Sequence, residues 1–302
     1  MKVRHKFLLP LTPFGATLAL ALVAASPAAA AEADWSQPQA PFRIVGDIYY
    51  VGSKGLAAYL IVSPAGDILL DGTLRQNAPM IERNIRALGF RPRDIKILLN
   101  SHAHADHAGG LARLKADTGA VLMASAGDRW ALEHGASRGD NTADLPGYPA
   151  VKVDKVLADG QVVRLGPIAM TALMTPGHTP GCTSWTMPVT EHGRTLKVAF
   201  VCSLTVAGNV LVGNRAYPQI VADYRESFAR LDALKTDVVL TAHPEFADVM
   251  RRHEREQAGD ADAFVDPGQL PRILAEAESS FDKQLASQTA NADASKQPAR
   301  RP

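Results

Sequence analysis

The stretch Ser101-His102-Ala103-His104-Ala105-Asp106-His107-Ala108-Gly109-Gly110 places three imidazoles and one carboxylate within residues 102–107. Histidine nitrogen and aspartate oxygen are ligands suited to zinc, and four of them this close together are too crowded for ordinary surface chemistry. His102 and His104, two apart, point the same way from an extended segment and start one metal site. Asp106 and His107 begin a second, so the stretch implies two metal ions. Upstream, Ile95, Ile97, Leu98 and Leu99 form the apolar run of a buried parallel strand. Downstream, Gly109, Gly110, Leu111 and Leu114 open a helix. The cluster therefore lies at a strand's carboxyl end, where open α/β sheets bind ligands.

Working outward, short strands are expected at residues 43–51, 58–62, 67–70 and 121–124, with helices at 79–88, 111–115 and 128–134. A long loop over 137–150, rich in Gly and Pro, is placed to shape a substrate site. The second half reads as strands at 162–165, 168–173, 183–187, 196–202 and 238–241, with helices at 222–234 and 270–285. Two strand-rich halves, each ending in helices, suggest an α/β (α+β) fold arranged as an αββα sandwich.

The 302 residues carry a net charge of +1 and are 46% hydrophobic, which describes an ordinary globular protein rather than a nucleic-acid binder or a disordered chain. Residues 1–31 have the form of a secretory signal peptide: Lys2, Arg4 and Lys6, an apolar stretch over 14–25, then small residues ending near Ala30 and Ala31. Export to the periplasm follows as an expectation, with no membrane attachment after cleavage, a globular domain at 32–287 and a disordered tail at 288–302. Cys182 and Cys202 are the only cysteines, and either a disulfide or two buried thiols fits them.

Two further histidines share the setting of the cluster. His178 lies in Thr175-Pro176-Gly177-His178-Thr179-Pro180-Gly181, a turn-rich loop after an expected strand, and His243 lies at another strand's end. His5, His134, His192 and His253 have no such context.

With His102, His104, Asp106, His107, His178 and His243 together, the chain resembles the metallo-β-lactamase superfamily over essentially its whole mature length. The resemblance implies an αββα sandwich. It implies two Zn2+ ions, one held by His102, His104 and His178 and the other by Asp106, His107 and His243, with Asp106 also orienting the attacking water. Asp71 matches the family's early acidic residue, which orders the loop carrying the ligands.

Thioesterase-like and phosphodiesterase-like members of the superfamily usually carry a metal-bridging Asp on the strand after the Gly-His loop. Here that strand ends Ala199-Phe200-Val201-Cys202-Ser203-Leu204-Thr205, with no carboxylate. The pattern resembles subclass B3, as do Gly181-Cys182-Thr183-Ser184-Trp185 and Tyr217-Pro218-Gln219-Ile220. Subclasses that use a cysteine ligand lack a histidine at the position of His107, and Cys202 stands one residue out of register for that role. The resemblance thus implies a secreted di-zinc hydrolase that opens β-lactams, with Ser203 and Thr205 binding the substrate carboxylate. The expected partner is a small-molecule β-lactam, with no nucleic acid, and the chain is expected to act as a monomer. The alternatives are a lactonase or thioesterase on the same scaffold, or a non-enzymatic zinc binder.

Overall fold

The computed structural model describes residues 34–137, 139–142 and 146–296; the expected leader at 1–31 lies outside them, as does Leu145 in the long loop. Seven strands form one sheet in chain order: β1 (Phe42–Val45), β2 (Ile48–Tyr50), β3 (Tyr59–Ile61), β4 (Asp67–Leu70), β5 (Ile95–Leu99), β6 (Val121–Ser125) and β7 (Lys155–Leu157). Pairing is antiparallel from β1 to β4 and parallel from β4 to β7. The second sheet comprises β8 (Val162–Leu165), β9 (Ile168–Met174), β10 (Thr183–Glu191), β11 (Arg194–Val201) and β12 (Val238–Thr241), in the order β12-β11-β10-β9-β8. Only its β11–β12 pair is parallel.

Period-two alternation distributes the apolar side chains among three layers. In β4, Ile68 and Leu70 enter the core between the sheets while Leu69 faces outward. In β11, Leu196, Val198 and Phe200 enter that core while Ala199 and Val201 face outward. Strands apolar at nearly every position are those covered on both faces. Helices α1 (Ala78–Ala87), α2 (Ala105–Ala108), α3 (Leu111–Thr118) and α4 (Ala126–His134) precede or follow the parallel strands of the first sheet. Ile81, Ile85, Leu111, Leu114 and Leu132 cover its outer face. Helices α5 (Ile220–Asp232), α6 (Val249–Gln257) and α7 (Gln269–Lys296) complete the second half. Tyr224, Phe228, Leu231, Leu274 and Phe281, from α5 and α7, cover the second sheet. The αββα sandwich expected from the sequence is the fold.

Three local expectations change. The single strand expected over 43–51 is a hairpin, because Gly46 turns at φ +53° and Asp47 completes the bend between β1 and β2. The strand β7 and the helix α6 were not expected. The tail expected to be disordered from 288 is instead helical to Lys296. Apolar periodicity stops at Leu285, but the segment beyond is alanine-rich and favours helix. Gln288 also anchors it, accepting from Leu211 N at 2.7 Å and donating to Asn209 O at 2.9 Å. Among the described residues no helix is long and apolar enough to cross a membrane.

Candidate metal centre

Every histidine of interest follows the carboxyl end of a strand, and the topology brings those ends to one edge of the sandwich. The loop after β5 carries His102, His104, Asp106 and His107, the loop after β9 carries His178, and His243 follows β12. β9 and β12 both run parallel to β11, since β10 is antiparallel to its two neighbours and β12 pairs parallel with β11.

The side chains converge as two triads. In the first, the rings of His102, His104 and His178 have centroids 4.6–5.0 Å apart, and one nitrogen from each can lie within 4.8 Å of the others. In the second, His107 Nε2 lies 3.0 Å from Asp106 Oδ2 and 3.1 Å from His243 Nε2, and His243 Nε2 lies 3.3 Å from Asp106 Oδ2. Ligands bound tetrahedrally at about 2.0–2.2 Å stand roughly 3.3 Å apart, so the second triad has the spacing one metal ion requires. The rings of His102 and His107 are 4.2 Å apart, which makes the triads neighbours.

Hydrogen bonds set which nitrogen each imidazole offers. His178 Nδ1 donates to Thr205 O at 2.6 Å, leaving Nε2 as the free lone pair. His102 Nδ1 meets Ser101 Oγ at 3.0 Å, while its Nε2 is buried without a hydrogen-bond partner. A buried ring nitrogen with no partner is costly unless a ligand uses it, and a metal is the ligand that fits. Burial, reinforced by neighbouring imidazoles, holds His102 and His178 well below the usual histidine range. Burial likewise pulls His104 down to about 4, so all three are neutral and able to ligate at pH 7. Burial would raise Asp106, but His107 and His243 outweigh it and hold the carboxylate well below its usual range. Burial would lower His107, but the charge and hydrogen bond of Asp106, with Asp71 behind, raise it.

The scaffold around the triads is polar and tightly connected. Asp71, at φ +66°, accepts from Ser101 N at 2.7 Å and Asn100 Nδ2 at 2.9 Å, and so fixes the entry to the ligand loop. Asp128 was missed by the sequence reading. Its Oδ2 accepts from Ala103 N and Thr179 Oγ1, both at 2.9 Å, and its Oδ1 accepts from Gly181 N at 2.9 Å. One buried carboxylate thereby ties the loop of His102 and His104 to the loop of His178. The pattern Ser125-x-x-Asp128 at a helix start was the available signal, since Ser125 caps α4 by accepting from Asp128 N. Gly181 is required there, because a Cβ would fall 2.2 Å from Asp128 N. Asn209, also unanticipated, donates to His178 O at 3.0 Å.

Cys182 and Cys202 form a disulfide, which settles the question the sequence left open and removes Cys202 as a thiolate ligand. Ser203 and Thr205 stand beside the triads with their hydroxyls 3.1 Å apart. They line one cleft together with His243. Trp35 also reaches the site, 5.6 Å from the His243 ring. Phe42 is in the core, stacked on Tyr50 and His253. Tyr148 is buried and donates to Ala103 O at 2.9 Å, so the described end of the long loop props the ligand loop.

Known proteins with this arrangement bear on its chemistry. The structure of BJP-1, a subclass B3 metallo-β-lactamase of Bradyrhizobium japonicum, superposes with a TM-score of 0.83 at 45% identity, over 87% of this chain and 99% of that one. Curated relatives are more distant. A hydroxyacylglutathione hydrolase of Methylococcus capsulatus is 36% identical over 134 residues, 44% of this chain and 40% of that protein. The N-acyl homoserine lactonase AttM of Agrobacterium fabrum is 28% identical over 149 residues, 41% of this chain and 56% of that protein. The chain thus spans about half the length, or less, of these two relatives. The model of the metallo-β-lactamase superfamily matches residues 55–243. From that match and the overlay on BJP-1, the chain belongs to the metallo-β-lactamase superfamily, and it has strong structural likeness to subclass B3 members.

Proposed function

We propose that this chain is an exported hydrolase that opens the amide bond of β-lactam antibiotics with two zinc ions. The observation that carries the reading is the end of β11. Where thioesterase-like relatives would place a bridging carboxylate, this chain has Cys202, bound in a disulfide, and Ser203, whose hydroxyl is open to the cleft. His102, His104 and His178 would hold one ion, and Asp106, His107 and His243 the other. Such ions, when bound, lower the pKa of water towards 7 and polarise a carbonyl.

The remaining work falls to the chain's own groups. Asp106 turns Oδ2 towards His107 and His243, and its other oxygen is left to accept a hydrogen bond from the attacking water and orient it towards the lactam carbonyl. Ser203 and Thr205 hydroxyls donate to the carboxylate beside the lactam ring. The Trp35 ring stands beside His243, with ring centroids 5.6 Å apart. The Cys182–Cys202 disulfide supports the export reading, because such bonds persist in oxidising compartments.

The test is turnover of nitrocefin and a carbapenem by the chain lacking residues 1–31, before and after chelation and zinc add-back. Chelator-sensitive, zinc-restored turnover is expected. Preferred turnover of a hydroxyacylglutathione thioester or an acyl-homoserine lactone would move the assignment to those relatives' chemistry. Asp106→Ala is expected to abolish hydrolysis while one zinc remains bound.

A further inference from the structure

Beyond Ser203, Thr205 and His243 the cleft continues into a cavity of about 510 Å³ between the loops after β11 and β12 and the helix α7. Phe246, Ile273 and Phe281 supply apolar wall, and Phe246 is 48% exposed. The charges along it are unevenly committed. Arg252 and Arg272 both line the cavity, yet both guanidinium groups are bound to Asp266 Oδ2. Glu245 and Glu276 also line it; Glu276 forms no ion pair among the described residues, and the Glu245 carboxylate lies 3.7 Å from His243 Nδ1.

A second observation points the same way. Gln269 is 4% exposed and lines the cavity, its Nε2 donates to Ala247 O at 2.7 Å, and its Oε1 has no hydrogen-bond partner. A buried acceptor without a donor suits a ligand carrying N–H groups, not an anion.

We infer that this cavity is the subsite for the substituent next to the substrate's ring carboxylate, and that Glu245 and Glu276 select a cationic one. The inference rests on the β-lactam reading above. With the ring carboxylate at Ser203 and Thr205, a group on the adjoining ring carbon enters the cavity those residues open. Its apolar stem lies along Phe246 and Ile273, and a protonated amine faces the two carboxylates.

The test uses the zinc-loaded chain and matched carbapenems whose substituent beside the ring carboxylate ends in a primary ammonium, a neutral alkyl group or a carboxylate. The cationic member should exceed the neutral one in kcat/KM by roughly three- to tenfold, the scale of short-range ion pairs open to solvent, with the difference in KM. In Glu276→Gln, an exposed helix position, that ratio should fall by about half or more, and in Glu245→Gln/Glu276→Gln it should approach one. Equal turnover of the three compounds, a preference for the anionic one, or a ratio unchanged in the double variant would overturn the subsite while leaving β-lactam hydrolysis standing. Turnover of none of them beside turnover of nitrocefin would overturn the subsite alone, and turnover of neither would refute the β-lactam reading with it.

Discussion

Replacing Asp128 with Ala would leave Ala103 N–H, Gly181 N–H and the Thr179 hydroxyl without their acceptor, in a pocket where Asp128 is 2% exposed. Each orphaned donor costs about 1–3 kcal/mol, or roughly 3–9 kcal/mol together. Against this stands the strain of the carboxylate itself. Burial, only partly offset by Thr179, Ala103 and Gly181, pushes Asp128 up to about 6. At pH 7 that shift represents about 3 kcal/mol of destabilisation, which alanine relieves. The net expectation is a loss of about 0–6 kcal/mol, centred on about 3 kcal/mol, a large share of a typical domain's stability. Asparagine should be milder. Its amide oxygen can replace Oδ2 towards Ala103 and Thr179, but its NH2 then faces Gly181 N–H, so about one bond is lost. Urea unfolding of the metal-free chain, followed by tryptophan fluorescence, should rank wild type above Asp128→Asn and Asp128→Ala last. Zinc titration of the same proteins should show the His102, His104 and His178 site weakened by about 10–100-fold, since the two loops no longer share a post. An alanine variant within 1 kcal/mol of wild type, with unchanged zinc affinity, would refute the clamp.

Acid should destabilise the metal-free chain. His102, His104 and His178 are held below their unfolded value near 6.5, His104 at about 4, so between pH 6.5 and 4 the unfolded chain binds more protons and stability falls with pH. His104 alone is worth about 3 kcal/mol across that window; His107, Asp67, Asp71 and Asp128, all raised, act in the opposite sense and offset part of it. A urea midpoint at pH 5 equal to or above that at pH 7.5 would contradict this. Cys182 and Cys202, 20 residues apart, close a loop worth about 3 kcal/mol by chain entropy. A thiol reductant should therefore lower the wild-type midpoint and leave that of Cys182→Ser/Cys202→Ser unmoved. Ser203→Ala/Thr205→Ala should raise KM for nitrocefin by about tenfold or more, at least the value of one charge-assisted hydrogen bond, with a smaller change in kcat. An unchanged KM would remove both hydroxyls from carboxylate binding.

The ligand cluster was legible because metal chemistry is local there: residues 102–107 hold four candidate ligands at a strand's end, and the strand's apolar run is equally local. His178 and His243 could be named from strand-end context, and the structure brings both to the cluster. The sandwich was legible too, since strands such as β4 and β11 declare by their alternation that both faces are covered. The hairpin at Gly46 was readable in principle, since Gly-Asp between apolar runs is a turn signal.

Other features depend on partners far away along the chain. Asp128 looks like an ordinary capping residue until Ala103, Thr179 and Gly181 converge on it from two other loops. The pairing of Cys182 with Cys202 required β10 and β11 to be neighbours with their site ends level. The helix past Leu285 lacks the apolar stripe that marks a packed helix, and it is held by Gln288 on the loop at Asn209 and Leu211. The sequence by itself determined the residue types, the strand-end placement of the ligands and the layered fold, because periodicity and coordination chemistry act over a few neighbouring residues. Tertiary structure alone decided which ring nitrogens turn towards one another in the two triads, which carboxylate clamps the loops and where the cleft continues, because those depend on distances between segments that only folding brings together.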